Sequence, residues 1–313
     1  VLTFLSLCLP IFAVVGVGLL AARWRMVSTS MVEAVGLFSF NVALPALLLR
    51  LMAAQPLSAS FEPHYFRGYL AACLITFAAA MGFALLRGHG RRMGAALGAA
   101  AAMGNVGYLA PPLMIPMLGP RVAGPVAMAI VAEVAVIIAL GTVLMSPAIP
   151  GTRLRTIWLA LKALGRNPVI LSISGGSLLA ALDLAIPLPV GRFLEFLGNA
   201  AGPTALFALG GTLGRMRVGR QLMAVAAGTT LAKLAAYPLL VWLLLEKVVG
   251  LDGFWVAAGV LLAAMPTATN AFVLAQRNEA GMAEVSATVL LSTILAALAF
   301  PLTAWLVLGG AAP

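Results

Sequence analysis

Charge is scarce in this chain. Its 313 residues hold 19 basic and 9 acidic side chains, 9% in all, where a soluble domain carries about a quarter. A fold of this length cannot hide so apolar a composition from water, because the buried fraction rises only slowly with size. Disorder demands the opposite composition. Histidine is nearly missing: His64 and His89 both fall near the ends of apolar stretches, so no His/Cys metal cluster can be assembled. The 2 cysteines, Cys8 and Cys73, lie inside apolar stretches and read as small core residues, not as a disulfide or metal pair. There is no Walker loop and no GxGxxG followed by an acidic residue, which leaves ATP drive without support. With so few Asp, Glu and His, the nucleophile and base of an intramembrane enzyme cannot be furnished. No catalytic residue, metal or cofactor is expected.

What the chain has instead is apolar length. With 63% hydrophobic residues and a mean hydropathy of +1.09, it reads as an all-α polytopic membrane protein. Between the charges lie ten segments: 1–22, 31–54, 65–86, 93–117, 121–145, 167–186, 191–214, 219–245, 253–276 and 282–309. At about 20 residues per spanning helix, ten spans take roughly two-thirds of the chain and leave no room for a soluble catalytic or signalling domain. Segment 1 has no basic leader and no small-residue cleavage site, and is expected to be a true span, not a signal peptide.

The net charge of +10 does not point to nucleic acid, because Lys and Arg sit in short gaps between apolar stretches without interleaved aromatics. Counted on alternate sides, thirteen fall on one: Arg23, Arg25, Arg87, Arg91, Arg92, Arg153, Arg155, Lys162, Arg166, Arg215, Arg217, Arg220 and Arg277. Five fall on the other: Arg50, Arg67, Arg121, Arg192 and Lys247. That bias places the central linker in the cytoplasm and both termini outside. The linker 147–166, with Arg153, Arg155, Trp158 and Lys162, reads as an amphipathic helix on anionic lipid.

The two halves resemble each other at a fixed offset. Asn41 and Pro45 in segment 2 recur 158 residues later as Asn199 and Pro203 in segment 7. Segment 4 carries Gly104-Asn105-Val-Gly107-Tyr108-Leu-Ala-Pro111-Pro112, and segment 9 carries Met265-Pro266-Thr267-Ala-Thr269-Asn270. Five spans per copy turn the second copy upside down, as in secondary transporters whose sites lie where two copies meet. The expected units are 1–146, a linker 147–166 and 167–313. A proline removes a backbone donor inside the membrane, and such breaks survive only when buried in protein or lining a cavity. Helices 4 and 9 are therefore expected to break at Pro111/Pro112 and at Pro266 and to cross, their half-helix N-termini offered to an anion.

Substrate contact is expected from Asn105, Gly107, Tyr108, Pro112, Pro266, Thr267, Asn270, Asn41 and Glu133, since an amide can donate two hydrogens to a carboxylate without adding negative charge. Two charges lie deep in spans, Glu133 in segment 5 and Lys233 in segment 8, and each must face protein or water. They are the coupling candidates, as a proton relay through Glu133 or as a mutual ion pair acting as a structural clamp. Runs such as Gly94-x3-Gly98 and Gly210-Gly211-x2-Gly214 read as close-packing surfaces.

At five stretches in order the chain resembles the auxin efflux carrier family, in particular its bacterial malonate-type members. They are Phe40-Asn41-Val-Ala-Leu-Pro45, Gly104-Asn105-x-Gly107, Arg166-Asn167-Pro168, Gly198-Asn199-Ala-Ala-Gly-Pro203 and Ala264-Met-Pro266-Thr-Ala-Thr-Asn270. The resemblance implies ten helices in two inverted five-helix repeats, with a scaffold of segments 1, 2, 6 and 7 and a transport unit of segments 3–5 and 8–10. It also implies elevator-like movement of a small organic carboxylate, auxin-like or malonate-like, across a lipid bilayer, often by a homodimer. The alternative is a sodium-coupled organic anion symporter resembling the bile-acid branch, to which the family is related.

Overall fold

The computed structural model describes residues 2–146, 158–159, 162–216, 219 and 222–309. Among these the elements are helical. They are α1 Leu2–Arg23, α2 Thr29–Ala53, α3 Pro63–Leu86, α4 Arg91–Ala102, α5 Val106–Leu118, α6 Pro120–Met145 and α7 Pro168–Ala181. They continue with α8 Leu188–Asn199, α9 Ala201–Arg215, α10 Met223–Val249, α11 Gly253–Ala263, α12 Thr269–Arg277 and α13 Met282–Val307. Among the described residues six helical stretches are long and apolar enough to cross a membrane: Phe4–Arg23, Thr29–Ala53, Leu57–Leu86, Pro120–Met145, Met223–Val249 and Met282–Val307.

Polar side chains mark where the helices begin. Asn167 accepts from the amides of Val169 and Ile170 ahead of α7, and Asp252 accepts from Phe254 and Trp255 ahead of α11. Each satisfies donors that a helix N-terminus leaves unpaired. Arginines close the opposite ends. Arg91 donates to the Ser146 carbonyl at 2.9 Å, and Arg92 donates to the carbonyls of Met145 and Asn278. The start of α4 thereby caps the C-termini of α6 and α12, where a cation meets the negative end of the helix.

α1 packs chiefly on α9, and the second half of α2 packs on α7 and α8. Elsewhere α3 lies against α4, α10 against α11 and α13, and α4 against α6. The α1–α9 contact is backbone to backbone: a Cβ on Gly210 would come 1.9 Å from the Val15 carbonyl oxygen, and one on Gly18 would come 2.2 Å from that of Phe207. Gly98 likewise sits under the Phe77 carbonyl of α3. The glycine runs are close-packing surfaces, as expected.

Three spans contain π-helical turns, over Ser39–Ala43, Val131–Ile137, Ala232–Ala236 and Leu243–Val249. Asn41, Glu133 and Lys233 lie in the first three, and such turns are frequent at functional sites. One expectation is corrected. Segment 4 does break, but over Met103–Asn105; Pro111 and Pro112 lie inside α5. Segment 9 breaks between Ala263 and Thr269, around Pro266. Of the proposed linker helix, Arg153 and Arg155 lie outside the described residues, while the Lys162 ammonium sits 4.8 Å from the Trp158 ring centroid.

Candidate functional site

The two breaks meet. The Asn105 amide donates to the Pro266 carbonyl at 2.8 Å, and the Ala268 amide donates to the Met103 carbonyl at 3.0 Å. They flank an antiparallel bridge between Gly104 and Thr267. Pro266 has no amide to give, but its carbonyl is free to accept. Each broken helix thus satisfies backbone groups of the other where lipid could not.

Side chains take the rest. The Gly104 amide donates to Glu133 Oε2 at 2.9 Å, and the Tyr69 hydroxyl donates to Glu133 Oε1 at 2.9 Å. On the other helix the Lys233 ammonium donates to the Ala263 carbonyl at 2.7 Å. The Thr267 amide donates to Ser292 Oγ at 3.1 Å, and its hydroxyl donates to the Ala100 carbonyl at 2.9 Å. All five side chains are buried. Lys233 also lies over the Tyr237 ring at 4.4 Å, and the Tyr237 hydroxyl is 2.8 Å from Cys73 Sγ. Gly104 is closely packed: a Cβ there would meet the Leu262 carbonyl at 3.1 Å and Lys233 Nζ at 3.3 Å, so its neighbours would have to give by a few tenths of an ångström.

Ser292→Ala is expected to destabilise the protein by about 1–3 kcal/mol, the cost of an unsatisfied buried amide at Thr267. Denaturant unfolding in mild detergent measures it, and an unchanged midpoint would remove Ser292 from this network.

Beside the crossing lies a cavity of about 20 Å³, room for a water molecule but not for a dicarboxylate. Asn105, Gly107, Tyr108, Glu133 and Asn270 line it. Asn105 is 4% exposed, and its Nδ2 has no hydrogen-bond partner among the described residues. The first turn of α5 and the start of α12 both border the cavity, and the first amides of a helix have no partner within it. These donors and the two helix dipoles suit an anion. Across Phe40, Val134 and Asn270 lies a vestibule of about 500 Å³ that also reaches Asn167 and Arg277.

The remaining expected residues fall elsewhere. Pro266 and Thr267 form the crossing itself and do not line the cavity. Pro112 packs toward Gly202 on α9. Asn41 is exposed on the π turn of α2 and lies outside the cavity lining. Among the described residues Glu133 and Lys233 form no ion pair within 4 Å; each holds a backbone group of a different broken helix. Sequence reasoning missed Phe40, Tyr69, Tyr237 and Ser292. A signal existed for two of them, since mid-span tyrosines are out of place when that residue favours the membrane interface.

Apolar helices of spanning length, packed around two interrupted ones that meet beside a buried cavity, are the architecture of an integral membrane transporter. The family model described as Membrane transport protein matches residues 3–152 and 152–304, and the chain belongs to that family, the auxin efflux carriers. It is a transporter, not an enzyme. It is 32% identical over 312 residues to the "Putative malonate transporter" of Rhizobium meliloti (strain 1021), an alignment covering 98% of this chain and 97% of that protein.

Proposed function

We propose that the protein is a secondary carrier for a small organic carboxylate of the malonate kind, with Asn105 and Asn270 as its principal ligands. The observation that carries this reading is the side-chain amide of Asn105, unpartnered among the described residues, on the wall of a cavity bordered by two helix N-termini. The name of the Rhizobium relative agrees with it. Gly107, Tyr108 and Glu133 complete the wall, with Pro266 and Thr267 holding its shape from behind. In this conformation the cavity is too small for malonate, and binding requires its walls to move apart.

In this reading the chain has ten spans in two inverted five-span repeats. The scaffold is α1, α2 and α7–α9, and the transport unit is α3–α6 with α10–α13, moving as an elevator. The partition is supported by the way α1 and α2 pack on α7–α9 and α3 packs on α4. Periplasmic termini in a bacterial inner membrane fit the charge bias of the loops, and a homodimer is the assembly that the family resemblance suggests. Glu133 and Lys233 are the coupling candidates. Sodium coupling has less support, because the Ala263 carbonyl, a group of the kind that coordinates sodium at broken helices, already accepts from Lys233.

Asn105→Ala is expected to weaken malonate binding by about 10- to 100-fold while the protein stays folded, the loss of a hydrogen bond to a charged group. Thermal-shift titration of purified protein and uptake into proteoliposomes, with sodium or with choline, read it out. Unchanged affinity in a folded Asn105→Ala protein would overturn the assignment, and uptake abolished in choline would favour the sodium-coupled alternative.

A further inference from the structure

Away from the cavity, three arginines line the cleft where α1 ends, α2 begins and α9 ends. Arg23, Arg25 and Arg215, with Thr29, border a space of about 730 Å³ whose lining Ala22, Gly214 and Met216 complete. That volume would hold roughly two dozen waters, and so a glycerophosphate headgroup. Among the described residues no carboxylate lies within 4 Å of any of these arginines. Glu33 is the sole acidic residue in the first 61 positions. Arg215 is held in place, donating to the Val27 carbonyl at 2.6 Å.

Arg25 occupies a costly position. α1 closes with the Met26 amide on the Ala21 carbonyl and the Arg25 amide on the Ala22 carbonyl, at 2.8 and 3.2 Å. This is the helix ending that places a left-handed residue after the last turn, usually glycine. Arg25 takes that conformation, with φ 59°, at a cost of about 1–2 kcal/mol for a residue with a Cβ. The apolar approach to the cleft is equally defined. Val17, Leu20 and Trp24 follow one another at helical spacing along α1 and are 59%, 41% and 67% exposed. They form an exposed apolar stripe along α1 that ends at Trp24, between Arg23 and Arg25 in the sequence.

We infer that this cleft binds the phosphate of an anionic phospholipid, with Arg23, Arg25 and Arg215 around the headgroup and the acyl chains along the Val17–Leu20–Trp24 stripe. Basic pockets between membrane helices are suited to such headgroups. The apolar stripe selects lipid over free phosphate, which would gain nothing from it. The site is separate from the substrate cavity and does not depend on what is carried.

The test uses the full chain in detergent, loaded with phosphatidylglycerol or phosphatidylcholine, with retained lipid counted by native mass spectrometry. Wild-type protein is expected to prefer phosphatidylglycerol. The double variant Arg23→Gln/Arg25→Gly is expected to lose about 30-fold of that preference, from the worth of two basic residues at an anionic surface. Because glycine suits the left-handed position, Arg25→Gly alone should keep or raise the melting temperature while releasing lipid, which a merely structural arginine would not do. Arg192→Gln, at the other group of loops, should change nothing. Equal retention by wild type and double variant, or displacement of the lipid by millimolar inorganic phosphate, would overturn the proposal.

Discussion

Lys233→Met is expected to destabilise the protein by about 3–5 kcal/mol, the usual penalty for breaking a buried charged arrangement from one side. The ammonium is fully buried and donates to the Ala263 carbonyl at the end of α11. Without it that carbonyl loses its side-chain partner, and the buried Glu133 carboxyl loses its nearby cation. Glu133→Gln should cost less, because the amide oxygen can still accept from Gly104. The pair differs from an ordinary ion pair, since each partner is anchored to a different backbone break. If the two act through a shared field, the double variant will be more stable than the two single effects predict, by more than about 0.5 kcal/mol. Strict additivity, measured by denaturant unfolding in mild detergent, would mean that the two residues hold their helix ends independently.

Gly210→Ala is expected to be nearly as damaging, although it adds one methyl group. That methyl would lie 1.9 Å from the Val15 carbonyl oxygen, a backbone atom that cannot swing aside, so α1 and α9 must part. Overpacking typically costs about 1–3 kcal/mol, occasionally more, and the reciprocal change Gly18→Ala meets the Phe207 carbonyl in the same way. Gly16, two residues before Gly18 on α1, is the control: nothing lies within 4 Å of a Cβ there. Gly16→Ala should be neutral or stabilise by up to about 1 kcal/mol, from the backbone freedom that glycine loses on folding. Comparable melting temperatures for Gly16→Ala and Gly210→Ala would show that the two helices are not in backbone contact.

The helical class and the approximate places of the spans could be read from apolar length between charges, because a bilayer imposes that length whatever the details. Glu133 and Lys233 were legible for a related reason: a charge in an apolar run must have a partner. The location of the first break was not. Pro111 and Pro112 are strong local breakers, yet α5 continues through both. The chain opens instead at Met103–Asn105, where Pro266 and Ala268 from one distant stretch and Glu133 from another supply partners. Tertiary hydrogen bonds decided what local propensity could not. Asn105 was visible as a polar residue beside glycines; its unpaired amide was not, since that depends on what fails to reach it. Phe40 gave no signal, being one phenylalanine of 14, until α2 was seen to carry it to the cavity wall.

The backbone bridge at the crossing has a kinetic consequence. Two helices joined by the Asn105–Pro266 and Ala268–Met103 hydrogen bonds share one set of rigid-body coordinates instead of two. In the proposed carrier, a displacement of Asn105 would therefore carry Asn270 with it, and the two amides would keep their separation. On the proposed reading, recognition would not have to be rebuilt at the far side, and a carrier whose ligands travel together would hold its cargo with nearly equal strength at both ends of the journey.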